Sequence, residues 1–241
     1  MGIIDKFGDI IENTCNTDPA RAGRLLKLGW QAQNFKFRHF PDKRLSRSGA
    51  YLSVLLMDAM LAPLRDPGNT AIVSVFTPCE LLHTYGIKPF NAEGFSCYIA
   101  ASHAENSFLK AAEEHGLPET FCSYHKVFLG AAYKKLLPSP KCIISTNLAC
   151  DANQITFREL ADYYKIPHFY IDVPVNISDA SVSYVASQLK ELDHSLSKLT
   201  GKARDMAALK NVLQRSKNAI KNYKSYMAAR ADKCLLQDLV T

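Results

Sequence analysis

The chain has no apolar run approaching the roughly 20 residues that a membrane-spanning helix needs. Its start, MGIIDKFGDIIENTCNTDPA, has neither the basic end nor the apolar stretch of a signal peptide. From these two absences a cytoplasmic protein is expected. Gly2 does not open a myristoylation motif, because Lys6 stands where Ser or Thr is required. P-loop, GxGxxG, HExxH and GxSxG patterns are all missing, so nucleotide hydrolysis, dinucleotide binding, zinc proteolysis and serine-hydrolase chemistry have no motif behind them. There is no compact CxxC run, no internal repeat and no low-complexity tract.

The 241 residues are 47% hydrophobic, enough for one or two globular domains with a true core. The net charge of +6 is concentrated in Arg21 to Arg47 and Lys198 to Lys233. Such runs read either as solvated helix faces or as surfaces for nucleic acid, a membrane or a phosphate-rich cofactor. Neither run sits in a nucleic-acid-reading fold motif, so no nucleic-acid partner and no membrane partner is expected. The seven cysteines, without a secretory signal, read as free thiols, metal ligands or redox groups rather than a disulfide framework.

Three short runs read as buried strands: Ala71–Phe76, Lys141–Thr146 and His168–Asp172, with Lys88–Asn91 a further candidate. Helical patterns cover Gly2–Asn13, Ala20–Asn34, Ser102–His115, Ser123–Leu137 and Gln154–Tyr164. Thr77-Pro78-Cys79-Glu80 reads as a helix start, with Thr77 as N-cap and Glu80 as a capping-box carboxylate. Strands alternating with helices imply a parallel sheet covered on both faces. From Ser178 onward apolar residues step by three or four, giving two amphipathic helices broken at Gly201. The expected fold is therefore α/β, a Rossmann-like parallel sheet with flanking helices and a long helical C-terminal extension. The expected divisions are an N-terminal helical segment at 1–48, the α/β domain at 49–177 and a helical extension at 178–241.

Cys150 follows one strand and precedes a helix, at the carboxyl edge where open α/β sheets bind ligands. Cys122, in Phe121-Cys122-Ser123-Tyr124-His125, opens the helix that leads into that same strand. Helix N-terminal amides favour a thiolate and hydrogen-bond to sulfides, so both positions suit a metal–sulfur site; both equally suit small buried hydrophobes. Cys79, at the same edge, reads as a further ligand or a bystander thiol. Cys97 and Cys142 read as core residues, and Cys15 and Cys234 lie apart from this chemistry. His125 and Lys126 read as groups that tune a metal site or as residues of a helix face. Glu93, in a turn, is a proton-transfer candidate or a simple turn carboxylate, and Asp151 reads as a site group or as a cap of the following helix.

Four blocks carry a wider pattern: FTPCELLHTYGIKPFNAEG at 76–94, GLPETFCSYHKVFLGAAYK at 116–134, CIISTNLACDANQITFRELADYYKIPHFYIDVP at 142–174 and YVASQLKELDHSLSKLTGK at 184–202. In order and spacing they resemble the 2-hydroxyacyl-CoA dehydratase family, which includes benzoyl-CoA reductase subunits and double-cubane cluster proteins. The resemblance implies an iron–sulfur subunit, with a cluster of 4Fe-4S or double-cubane type held between two Rossmann-like domains. It places ligands at Cys122 and Cys150. The third ligand ordinarily comes from a C-terminal domain absent from these residues, so the implied site is incomplete in this chain. Cys79 is not a cysteine in the family pattern.

The resemblance further implies an ATP-dependent iron–sulfur activator as electron donor and an acyl-CoA or other small molecule as substrate, for dehydration or reduction. The partner is a paralogous subunit or a second copy of the chain, and the blocks lean toward the double-cubane branch and a homodimer. The competing reading is a truncated or split, cluster-free family member acting as a pairing subunit.

Overall fold

A computed structural model describes residues 2–137 and 139–232. Cys234 and the end of the second basic run at Lys233 lie outside the described residues. The short β-branched and aromatic runs form four strands, β1 Thr70–Val73, β2 Lys88–Asn91, β3 Cys142–Thr146 and β4 His168–Ile171. All neighbours pair in parallel in the order β2-β1-β3-β4. Ile72 lies opposite both Phe90 and Ile143, and Ile144 lies opposite Phe169.

Alternation along these strands divides the core. Ile72, Phe90 and Ile143 face one apolar layer, while Ala71, Val73, Cys142, Ile144 and Ile171 face another. Helix α4, Glu80–Thr84, crosses from β1 to β2, and its Leu82 lies in the second layer. Helices α5 Ala92–Ala101, α6 Asn106–Glu114 and α7 Ser123–Tyr133 lead from β2 past β1 to β3, and α8 Ala152–Tyr164 joins β3 to β4. Phe95, Phe108, Phe128 and Phe157, one from each of these four helices, are fully buried in the first layer. A parallel crossover is right-handed, so reversing its direction along the sheet moves the helix to the other face. The step from β1 to β2 runs one way and every later step runs the other, which accounts for the two layers. Helix α9, Asp179–Thr200, completes the α4 side through Leu192 and Leu196. It ends at Gly201 with φ +66, a left-handed C-cap that suits glycine. Helix α10, Met206–Asp232, reaches back to α4, where the Ser216 hydroxyl donates to Glu80 at 2.8 Å.

Three helices precede the sheet: α1 Ile3–Thr17, α2 Pro19–His39 and α3 Arg47–Arg65. The last is one that the sequence pattern did not set apart. Ile11, Leu26, Trp30 and Met57 belong to the same buried cluster as Ile72, and the Trp30 indole donates to the Ser102 hydroxyl at 3.0 Å. Among the described residues no helix is long and apolar enough to cross a membrane.

Several local expectations change. The run at Ala71–Phe76 leaves the sheet after Val73 because Ser74 and Thr77 bond to each other and Thr77 donates to the Ile144 carbonyl. Thr77 is therefore spent inside the loop rather than capping a helix. Helix α4 starts at Glu80, whose carboxylate goes to Ser216 and makes no capping box. The helix expected at Ser102–His115 begins only at Asn106, as α6, after a turn with Ser102 as the C-cap of α5 and His103 at φ 54; α5 itself is a helix that the sequence pattern did not set apart. Asp151 precedes α8 without a side-chain cap bond.

Candidate functional site

Parallel strands all end at one edge of the sheet, and the strand order reverses direction between β1 and β3. The crevice at that switch point is where open α/β sheets bind ligands. Its two sides are the loop at 74–79 after β1 and the loop at 147–151 after β3. The second loop is tied down by side chains. Asn147 donates to Asp172 and to the Val173 carbonyl, and Asn153 donates to the Leu148 carbonyl at 3.1 Å. Ala149 sits at φ 82, a left-handed conformation that costs a residue with a Cβ about 1–2 kcal/mol. Strain of this kind collects where a loop must present a side chain in one direction. The residue it presents is Cys150.

Cys150 Sγ lies 3.7 Å from His125 Nε2. His125 is 3% exposed, ringed by Phe121, Phe128 and Phe157, and its Nδ1 lies 2.7 Å from Thr156 Oγ1. Burial pushes the imidazole down to about 4, so the ring is neutral at physiological pH. Three residues earlier on the same chain, Cys122 is the N-cap residue of α7, its thiol exposed and not used as a cap. Lys126, 4% exposed, is committed elsewhere, donating to Glu113 and to the Glu119 carbonyl, each at 2.7 Å. His125 and Lys126 are thus interior residues of α7 rather than a solvated face.

The other cysteines separate. Cys142 is buried in β3, as its pattern implied, and burial pushes its thiol up to about 12. Cys79 packs on the α4 side of the sheet and donates to the Thr77 carbonyl at 3.3 Å; burial, then the Glu80 charge, pushes it up to about 11. Cys97 is exposed on α5, not in the core. It sits beside Tyr124, whose hydroxyl is pushed up first by the Cys97 charge and its hydrogen bond, and last by Cys122.

Glu93 lies in the first turn of α5, at the same edge, and accepts from the Val75 amide at 3.2 Å through Oε1. Its Oε2 is buried without a hydrogen-bond partner. Burial raises the carboxyl above the ordinary glutamate range against the opposing pull of two backbone N–H groups. A proton held there would answer the unpaired oxygen.

With this geometry in view, the comparisons with known proteins decide the family. The profile of 2-hydroxyglutaryl-CoA dehydratase, D-component, matches residues 74–238, well over half of the sequence. The chain belongs to that dehydratase family. One relative is an (R)-phenyllactyl-CoA dehydratase alpha subunit of Clostridium sporogenes, 24% identical over 155 residues, which are 61% of this chain and 38% of that protein. The chain therefore spans well under half of the length of that curated relative. Both thiols at the crevice fall inside the matched region.

The donor chemistry fits an iron–sulfur group in kind, since Cys122 and Cys150 are two accessible soft thiols at the starts of two helices. It does not fit in number. Among the described residues no three His, Cys, Asp or Glu side chains gather around one point. His125 at Cys150 and the exposure of Cys97 were not read from the sequence. The first needed knowledge that α7 and α8 lie side by side, and the second a helix placed at 92–101.

Proposed function

We propose that this member of the dehydratase family is an iron–sulfur subunit in which Cys122 and Cys150 supply two of the ligands. They take part in ATP-activated, low-potential electron transfer that dehydrates or reduces an acyl-CoA or similar substrate. The observation that carries this reading is the placement of two accessible thiols at one sheet edge, on the family's own sequence blocks. When bound, such a group supplies single electrons and a Lewis-acidic iron. The chain's own residues have defined parts. Cys150 is presented by the strained loop at Ala149, and Cys122 by the N-terminus of α7. Glu93, kept in its protonated form over a wider pH range by burial, is positioned by the Val75 amide to carry a proton at its free Oε2.

Cys79 is disfavoured as third ligand, since its thiol is packed against the α4 layer and already donates to its own loop. We place the third ligand on polypeptide outside the described residues, in a partner subunit or a further domain. The relative is by its name an alpha subunit for a phenyllactyl-CoA substrate. By extension the partner here is a paralogous subunit or a second copy, served by an ATP-dependent iron–sulfur activator.

A second reading, a cluster-free pairing subunit, is favoured by the apolar side chains left at the surface by α10 and the loop before α9. Val175 and Ile177 are 96% and 95% exposed, and Leu213, Ile220 and Tyr223 are each more than half exposed. Iron and acid-labile sulfide per chain after anaerobic purification separate the two. Stoichiometric iron that disappears in Cys122→Ala and Cys150→Ala, with the fold retained, supports the iron–sulfur subunit. Iron absent from the wild type, or unchanged in both variants, rejects the assignment.

A further inference from the structure

Resting on that reading of Cys150, we propose that His125 is the positioning residue that fixes the Cys150 thiol and ties the two ligand-bearing helix starts together. The hydrogen-bond directions are determined by bookkeeping of protons. Thr156 has one hydroxyl proton, and the oxygen lies 2.7 Å from the Ala152 carbonyl, which can only accept. Thr156 Oγ1 must then accept from His125 at 2.7 Å, so Nδ1 carries the ring proton. Nε2 is left with a bare lone pair, and the group facing it is the Cys150 thiol at 3.7 Å. The S–H donates to that lone pair.

Each end of the ring belongs to a different element. The ring itself is on α7, one turn after Cys122, while Thr156 and Cys150 bracket the start of α8. One 3%-exposed side chain thus sets the sulfur of one thiol relative to the helix that presents the other. The aromatic cage of Phe121, Phe128 and Phe157 prevents the ring from tilting, so the tether is stiff. The Cys150 thiol has no other hydrogen-bond partner among the described residues. Without His125 its exposed thiol is free to swing.

The test alkylates metal-free protein with iodoacetamide and resolves Cys150 and Cys122 by mass spectrometry, in wild type, His125→Asn, His125→Gln and Thr156→Val. Asparagine reaches the place of Nδ1 and keeps the Thr156 bond but not the sulfur contact, whereas glutamine reaches the place of Nε2. A positioning role gives a severalfold faster Cys150 reaction in His125→Asn and in Thr156→Val, because loss of the S–H···N contact frees the sulfur. Glutamine returns the rate toward wild type, and Cys122 is unchanged throughout. Equal Cys150 rates in all four proteins, or rescue by asparagine instead of glutamine, overturns the proposal.

Iron content is read on the same set, to separate the thiol–imidazole pair of the metal-free protein from the cluster. A wild type that binds no iron but keeps His125-dependent Cys150 reactivity rejects the cluster while leaving the thiol–imidazole pair in place. Iron-loaded wild type with Cys150 rates indifferent to His125 rejects the pair and keeps the cluster.

Discussion

Replacing Gly130 by alanine should force α6 and α7 apart, because a Cβ at this position would lie 1.9 Å from the Phe108 carbonyl oxygen and 2.6 Å from its carbon. Carbon and oxygen rest at about 3.3–3.6 Å even in close C–H···O contacts, so the helices must separate by more than an ångström. The obstacle is backbone, which cannot rotate away as a side-chain tip would. Overpacking of this kind costs about 1–3 kcal/mol, and this clash lies toward the top of that range. Alanine returns about 1 kcal/mol of helix propensity over glycine. The net loss is about 2 kcal/mol, which for a chain of this size lowers the melting temperature by about 4–8 °C. Urea titration and calorimetry measure it, with Gly68→Ala as control, since a Cβ there meets nothing within 4 Å. The displaced helix carries Cys122 and His125, so iron binding should weaken in parallel. A Gly130→Ala protein that melts with the wild type would refute the close approach and the coupling built on it.

Other consequences can be checked singly. Glu93→Gln should flatten the pH dependence of stability: a carboxyl raised above 4.5 stabilises the fold fully below that value and loses the contribution as pH climbs through its raised value, so urea midpoints should diverge in favour of the variant as pH rises. Ala149→Gly should be neutral or stabilising by up to about 1 kcal/mol, against the usual penalty for that exchange, because φ 82 is costly only to a residue with a Cβ; a clear loss in thermal denaturation would contradict the strained loop. Tyr85→Phe removes the hydroxyl that donates to Asp193 at 2.8 Å and joins α4 to α9, and should cost about 1 kcal/mol in urea titration, with no effect on iron content.

Much of the fold could be read from local pattern. Strands β2, β3 and β4 and helices α8 to α10 lie where periodicity and punctuation place them, since each buries one clear apolar set. The failures share a cause, which is contact between residues distant in sequence. Thr77 looks like an N-cap until Ile144, on another strand, takes its proton. The turn at 102–105 reads as the first turn of a helix until Ser102 is seen to receive the Trp30 indole from the N-terminal helices. At the site, the positions of Cys122 and Cys150 at helix starts were legible from sequence. What surrounds them was not, because the pairing of His125 with Thr156 and Cys150 depends on the packing of Phe128 against Phe157, with centroids 5.4 Å apart. Cys97 was misplaced for a simpler reason: with α5 set at 92–101, Ala92, Phe95, Ser96 and Ile99 form the buried stripe and leave Cys97 outside it.

The region recognisable as this family and the unit that folds do not coincide. The family profile begins at residue 74, yet the wall on which α5 to α7 rest is built partly from Ile11, Leu26, Trp30 and Met57. On α1, Gly8 comes so close to the turn between α5 and α6 that a Cβ there would lie 2.0 Å from the His103 carbonyl oxygen. A stretch of chain that precedes the matched region is thus the back-plate of its sheet. Changes far from the crevice, in α1 or α2, have a route to the thiols through this plate, along Trp30 to Phe95 and on to α7. In this chain, the firmness with which the site is held is set partly by residues that lie before it in sequence.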